Sequence, residues 1–329
     1  MNYKSIIVTE QGGPDLLQIV EHELRPPTDK EVRVRVLATP VCLPDVQARY
    51  GQTPIDPKVP FTPGYAIVGE VEAVGDKVKT AVPGERVAAL TVFGGYAEVI
   101  YLTEDNLIPV PASLDPAEVS TLILNYIVAY QTLHRSAKVK SGDTVLIIGA
   151  SGGVGTAVLQ LGQLAGLTMI GIASARKHPI LTQYGATPID YHTQDFVEVV
   201  HRVAPNGLDA VIDGMGSDYL ERGFDLLSDG GTWVAYGNPL SFSGLTKLLG
   251  KLVWFNLQPN GKSLKVYGTT TSKFGKRPFL EDWPKLFKLL ETQQIEPIIM
   301  QTSPLLEAAQ ANELLESGDV VGNVVLVNS

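Results

Sequence analysis

Hydrophobic and polar positions alternate in two different ways along this chain, and the change comes near Pro111. Before it the apolar runs are short. Residues 3–9 and 18–24 read as strands separated by Gly12–Gly13–Pro14. Val32-Arg-Val-Arg-Val36 alternates apolar with charged residues, the pattern of a strand with one buried and one wet face. Residues 45–50 read as a short helix, and Pro54, Pro57, Pro60 and Pro63 punctuate an extended loop. From Gly64 to Leu90, Val-rich segments are broken by Gly69, Gly75 and Gly84, as bends in a small barrel require. Tyr96–Leu102 adds another strand.

After Pro111 the runs lengthen. Residues 115–135 are largely apolar and read as helix, with Asp115 as N-cap and Pro116 at the first helical position. Strands are then expected at 144–149, 168–173, 209–213, 232–236 and 264–269, alternating with helices at 154–165, 176–184, 194–203 and 217–227. Such alternation predicts a doubly wound parallel sheet. Helices at 280–294 and 305–316 follow, and the closing strand Val320–Val327 has the β-rich texture of the N-terminal part, onto which it is expected to pack.

The centre of this pattern is Thr144–Ile148 followed by Gly149–Ala–Ser–Gly–Gly–Val–Gly155 and an apolar helical stripe at Val154, Val158, Leu161 and Ala165. A strand, a glycine turn and a helix leave backbone N–H groups and the positive end of a helix dipole facing a pyrophosphate. Ser151, Gly152, Gly153, Val154 and Gly155 are the candidate phosphate-binding residues. Gly152 and Gly153 let the phosphates approach the backbone, and Gly155 lets helix and strand pack closely. The same residues match Gly-x-Ser-x-Gly, the nucleophile elbow of hydrolases, which needs an acid and then a histidine downstream. The last histidine is His201, leaving the final third without one.

Composition narrows the function classes. A chain of 329 residues with 44% hydrophobic and 19% charged residues has room for two domains with a large core. The net charge of −9 argues against nucleic-acid and anionic-membrane binding. A lone cysteine, Cys42, allows no intrachain disulfide. No signal-like N-terminus is present, and no apolar run approaches the roughly 20 residues that span a bilayer. A cytoplasmic soluble protein is expected.

Several motifs occur in order: Pro63–Gly64, Gly69-x-Val71-x-x-Val74–Gly75, Pro83–Gly84–Glu85–Arg86–Val87, Gly94–Gly95–Tyr96–Ala97–Glu98 and Ala129–Tyr130. Val139–Lys140–Ser141–Gly142–Asp143, the glycine turn, Gly185–Ala186, Asp190–Tyr191, Asp209–Asp213 and Val321–Gly322–Asn323–Val324–Val325–Leu326 complete the set. Together they resemble the medium-chain dehydrogenase/reductase superfamily, and within it the zinc-independent (zeta-crystallin-like) quinone oxidoreductases. The resemblance implies an α/β protein: a GroES-like β-barrel catalytic domain at 1–124, a Rossmann doubly wound parallel-sheet domain at 125–270, and a C-terminal return to the catalytic domain at 271–329. It further implies a cleft between the domains, hydride transfer to a quinone or an α,β-unsaturated carbonyl (an enone or enal), and a homodimer.

The residues refine these expectations. Cys42 sits in a motif like the zinc-ligand cysteine of alcohol dehydrogenases, but the Gly-His-Glu that should follow is Gly64–Tyr65–Ala66. Zinc needs about three N, S or O ligands, so no metal is expected. An NAD site places an acid after the second strand; here Ile172–Lys177 carries Ser174, Arg176 and Lys177 and no acid. Cations and donors suit a 2′-phosphate, so NADPH is the expected cofactor. The resemblance implies Lys177 and Tyr191 as phosphate ligands, with Arg176 sharing or taking over the lysine's role, and places Tyr130, Gly237, Asn238 and Asn323 at the cofactor. Two tyrosines of the quinone oxidoreductase cleft are here Gln47 and Thr53, which leaves Tyr50 and Tyr65 as candidate catalytic residues and Cys42, Tyr65 and Asn238 as candidate substrate-pocket residues. Asp45 and Arg49 read as structural, an ion pair or a loop anchor. The apolar insert 238–262 suits a hydrophobic pocket wall or a dimer contact. An enoyl-thioester reductase of the same fold and a non-catalytic NADPH-binding protein are the alternatives.

Overall fold

Strict alternation in Val32–Val36 produces what it predicts: Val32, Val34 and Val36 are fully buried, while Arg33 and Arg35 on the other face pair with Glu72 at 3.1 Å and Glu70 at 3.2 Å. The structure is a computed structural model and describes residues 1–53, 57–216, 218–237, 250–257, 259–269 and 277–328. Its contacts divide the chain into one unit of Met1–Leu124 with Leu280–Ser329 and a second of Asn125–Phe279.

The first unit carries β1 (Asn2–Val8), β2 (Leu17–Glu23), β3 (Glu31–Pro40), β4 (Ala66–Val74), β5 (Arg86–Leu90), β6 (Val99–Thr103) and β7 (Ile108–Pro109). The second carries β8 (Thr144–Ile148), β9 (Thr168–Ala173), β10 (Thr187–Asp190), β11 (Leu208–Asp213), β12 (Leu227–Tyr236) and β13 (Ser263–Tyr267). The chain then returns to the first unit with β14 (Ile299–Pro304) and β15 (Asn323–Val327).

In the first unit β1 and β2 form an antiparallel pair, and a seven-stranded sheet runs β14-β15-β3-β4-β5-β7, with β6 also pairing β3. The C-terminal strand is therefore internal: β15 pairs parallel to β14 and antiparallel to β3, with Leu326 opposite Thr39. In the second unit six parallel strands run β10-β9-β8-β11-β12-β13. This is the doubly wound order whose direction reverses between β8 and β11. Leu146, Ile170, Val211, Phe224 and Trp233 fill its core.

Three elements differ from the reading of the pattern. β10 contains Pro188, which cannot donate to a ladder; it is tolerated because β10 lies at the sheet edge. β14 is another edge strand with polar Gln301, Thr302 and Ser303, so no apolar period announces it. The helix expected over 217–227 is only Tyr219–Gly223, then a 3₁₀ turn at Phe224–Leu226, because β12 already begins at Leu227. The long helix does start at the Asp115 cap, whose side chain accepts from the N–H groups of Ala117 and Glu118. It widens into π-helical turns at Leu122–Tyr126 and Thr132–Ala137 and stops at Lys138, where φ is 58°. In the apolar insert, Leu240, Phe242, Leu248 and Leu249 lie outside the described residues; Phe255 packs on Phe224 at 4.2 Å between ring centroids, and Trp254 is exposed.

Candidate functional site

In the second unit, β8 ends at Ile148 and the chain turns through Gly149 (φ 84°), with the N–H of Ala150 donating to Ile172 of β9. Helix Gly153–Leu164 begins directly after Gly152, which is in extended conformation. The N–H groups of Gly153, Val154 and Gly155 have no carbonyl within the helix to reach. A Cβ on Gly155 would lie 2.2 Å from the Gly149 carbonyl oxygen and 2.6 Å from the Ala150 carbonyl carbon, so the turn and helix interlock only through glycine. A Cβ on Gly152 would meet nothing closer than 3.9 Å. The protein's own packing therefore does not demand glycine there, and the space beside the free N–H groups is open to a ligand. Ser151 is buried and Val154 half-buried beside them.

Two flanking turns complete this end of the sheet. After β9 the chain passes through Ser174 into a 3₁₀ turn, Ala175–Lys177, with Arg176 exposed and Lys177 half-buried. After β10, Tyr191 stands about half exposed, its ring tilted against that of His192 with centroids 4.1 Å apart. The structure thus brings Ser174, Arg176, Lys177 and Tyr191 to adjacent strand ends, since Ala173 and Asp190 are register partners. Tyr130 is half-buried, its ring 4.6 Å from that of His134. Gly237 follows β12 with φ 68°, and Asn238 lies outside the described residues.

Periodicity did not reveal Asp213. Its carboxylate, at the end of β11, accepts from the N–H groups of Met215 (2.9 Å) and Gly216 (2.8 Å) and from the Trp233 indole (3.3 Å). Burial raises its pKa, and those donors restrain the rise. The turn it holds sets Met215 against Gly149, so the strands flanking the reversal point are tied together there. An acid ending an apolar central strand was the available signal.

In the first unit Cys42 caps helix Leu43–Arg49, and Asp45 gathers the surrounding backbone. Its carboxylate accepts from the N–H groups of Gly64 (2.9 Å), Cys42 (3.2 Å) and Tyr65. Burial pushes its pKa up to about 7 against those donors. Burial, and then the Asp45 charge, also raise the Cys42 thiol, so it is no ready nucleophile. Gly64 has φ 110°, and a Cβ there would lie 2.4 Å from Gly95 Cα, so this loop too is closed by glycine. Asp45 is thus a loop anchor, and Arg49 pairs elsewhere: its guanidinium reaches the Gly12 carbonyl and the Glu316 carboxylate. Tyr50 donates its hydroxyl to the same Glu316 at 2.9 Å, while Tyr65 is buried, its backbone held at Asp45. Asn323 opens β15, its side-chain amide donating to the Ile298 carbonyl at 2.9 Å. Among the described residues no three His, Cys, Asp or Glu side chains gather in a way that could hold a metal ion.

The alcohol dehydrogenase GroES-like domain family matches residues 28–112, and the zinc-binding dehydrogenase family matches residues 184–326. The chain is 30% identical to quinone oxidoreductase of Lama guanicoe over 332 residues, 98% of this chain and 97% of that one. It is 34% identical to the synaptic vesicle membrane protein VAT-1 homolog of Danio rerio over 250 residues, 75% of this chain but only about half (52%) of that relative's length. Escherichia coli quinone oxidoreductase complexed with NADPH superposes with a TM-score of 0.85 at 26% identity, over 98% of this chain and 99% of that one.

Proposed function

The chain belongs to the medium-chain dehydrogenase/reductase superfamily, among its quinone oxidoreductases, and from that premise we propose that it is an NADPH-dependent, zinc-independent reductase of quinones or α,β-unsaturated carbonyl compounds. The observation that carries the nucleotide part is the contrast between Gly155, which packing forces to be glycine, and Gly152, which packing leaves free. Bound NADPH would supply a hydride. With one proton from solvent, a quinone becomes a hydroquinone and the cofactor NADP+.

The chain's residues have the following roles in this reading. The turn Ser151–Gly155 holds the pyrophosphate on its N–H groups, and Ser174, Arg176, Lys177 and Tyr191 hold the 2′-phosphate. Gly237, Asn238, Tyr130 and Asn323 belong to the cofactor set. Cys42 and Tyr65, carried on the loop that Asp45 pins, line the substrate pocket. Tyr50 reaches a substrate only by giving up its bond to Glu316. That favours a quinone acceptor over both an enone and an enoyl thioester, because hydroquinone oxygens take protons from water whereas the enolate formed from either alkene is best served by a placed acid. The elbow reading of Ser151 needs a histidine, and the five are engaged elsewhere or distant in sequence: His22 on Ser5, His134 on Tyr130, His178 on the Ala173 carbonyl, His192 on Tyr191, and His201 exposed near the end of its helix. A homodimer is part of the proposal, with the exposed Val253, Trp254 and Leu257 near edge strand β13 as its contact.

The test is oxidation of NADPH and of NADH against a small quinone and an aliphatic enone. Turnover with NADPH well above NADH is expected. Replacing Arg176 and Lys177 together by alanine should raise KM for NADPH roughly tenfold and leave NADH within about twofold. Metal analysis of the active protein should find well under roughly 0.1 zinc per chain, since a working site holds one. NADH preference would remove the cofactor assignment, and stoichiometric zinc would remove the zinc-independent mechanism.

A further inference from the structure

The reading of the 2′-phosphate site leaves a buried acid at its centre without a role. Asp190 ends β10 opposite Ala173, the last residue of β9, and the residue is only 8% exposed. One carboxylate oxygen accepts from the His192 N–H at 3.2 Å, and the other accepts from the Thr193 hydroxyl at 2.8 Å. The N–H of Ala175, in the neighbouring turn, donates to the same carboxylate. The Asp190 backbone is tied equally closely: its N–H donates to the Gln194 side chain at 2.9 Å, and its carbonyl accepts from Thr193 and Gln194. These donors, the Thr193 hydroxyl first, hold the acid below its ordinary pKa although it is buried.

Two turns therefore lie side by side at one carboxylate, because Ala173, which leads into the first, is the register partner of Asp190, which opens the second. The first, closed by the Lys177 N–H on the Ser174 carbonyl at 2.9 Å, carries Ser174, Arg176 and Lys177; the second carries Tyr191. We propose that Asp190 is a positioning residue that locks these two turns together and thereby sets selectivity for a ribose bearing a 2′-phosphate. The proposal rests on the NADPH reading above. It has an unusual sign. By Coulomb's law alone, a carboxylate beside a phosphate site opposes phosphate binding, and removing its charge should tighten it. As a clamp it does the reverse. Asparagine keeps one acceptor oxygen, but its amide cannot accept from a backbone N–H and meets the Thr193 hydroxyl only by reversing that bond, so the clamp loosens and the phosphate ligands lose register.

The experiment is calorimetric binding of 2′,5′-ADP and of 5′-AMP to the full chain, in wild type, Asp190→Asn, Thr193→Val and Thr193→Ser. Wild type should prefer 2′,5′-ADP. Asp190→Asn should weaken 2′,5′-ADP at least fivefold while leaving 5′-AMP within twofold. Thr193→Val should do the same to a smaller extent, and Thr193→Ser, which keeps the hydroxyl, should restore wild-type selectivity even if Asp190→Asn fails to fold. Tighter 2′,5′-ADP binding by Asp190→Asn would make the acid a mere nearby charge and overturn the clamp. Equal losses for both ligands, or no rescue by serine, would reduce it to general structural support and also overturn it. A wild type that binds the two ligands equally would instead overturn the NADPH reading, and the clamp with it.

Discussion

Gly152 and Gly155 are the same residue type in one turn, yet they do different work, and a single added methyl group separates them. Gly155→Ala would drive Cβ into the Gly149 carbonyl at 2.2 Å. It should cost about 2–3 kcal/mol and lower Tm by roughly 5–10 °C. Gly152→Ala has room, and as a helix N-cap change it should cost only about 1 kcal/mol. It should nevertheless weaken NADPH binding roughly tenfold or more, because in the proposed site the methyl group would stand where a phosphate approaches. Thermal unfolding beside NADPH titration of both variants reads this out; a Gly152→Ala protein that binds normally would remove the phosphate-turn assignment. Asp45 makes the other prediction at this scale. Its folded pKa of about 7 lies above the ordinary aspartate value of about 3.9, so the folded state holds the extra proton between the two. Its contribution to stability is complete below pH of about 4, is lost as pH rises toward 7, and is constant above. The stability advantage of wild type over Asp45→Asn should therefore shrink as pH rises through that window, as urea unfolding at several pH values would show. An advantage that grows with pH would mean the carboxylate is ionised and stabilising.

At the scale of elements, most of the regular structure follows from local chemistry. The strands around the glycine turn are continuous apolar runs because parallel strands are covered on both faces. The helix after Pro111 begins at Asp115 because aspartate can take two orphan N–H groups and Pro116 needs none. Asp115→Ala should cost about 1 kcal/mol, read as a lowered urea midpoint with unchanged slope. The edge strands were not legible for the converse reason. β10 and β14 each pair on one side only, so Pro188 and the polar residues of β14 are tolerated, and neither carries the signature of a core strand.

For the molecule as a whole, the chain leaves its first unit in mid-helix near Leu124 and re-enters near Leu280 to supply an internal strand. Val325 in β15 is fully buried opposite Pro40 of β3. Val325→Asp places an unpaired charge there and should destabilise the first unit by more than about 4 kcal/mol, although it lies close to the C-terminus. Near-native Tm for that variant would show that β15 is dispensable. The prediction would be unremarkable for an internal sheet residue, and only the topology identifies β15 as one.

The amino-acid sequence by itself determined the two textures of the chain, the strand–glycine–helix centre, the α/β class and the absence of an acid after the second strand of the doubly wound sheet. Each of these is written in neighbouring residues, where periodicity and turn chemistry act. Tertiary structure alone decided the rest. Asp45 became a loop anchor because its donors include Gly64 and Tyr65 on a distant segment, and Arg49 found Glu316 across the length of the chain. Asp190 acquired its place because its strand end lies beside that of β9, with Ala173 as its register partner and the turn Ala175–Lys177 following directly. Which glycine is forced by packing and which has open space beside it was likewise settled by atoms that folding brings within a few ångströms, since a buried polar group or a close backbone contact is defined by neighbours in space.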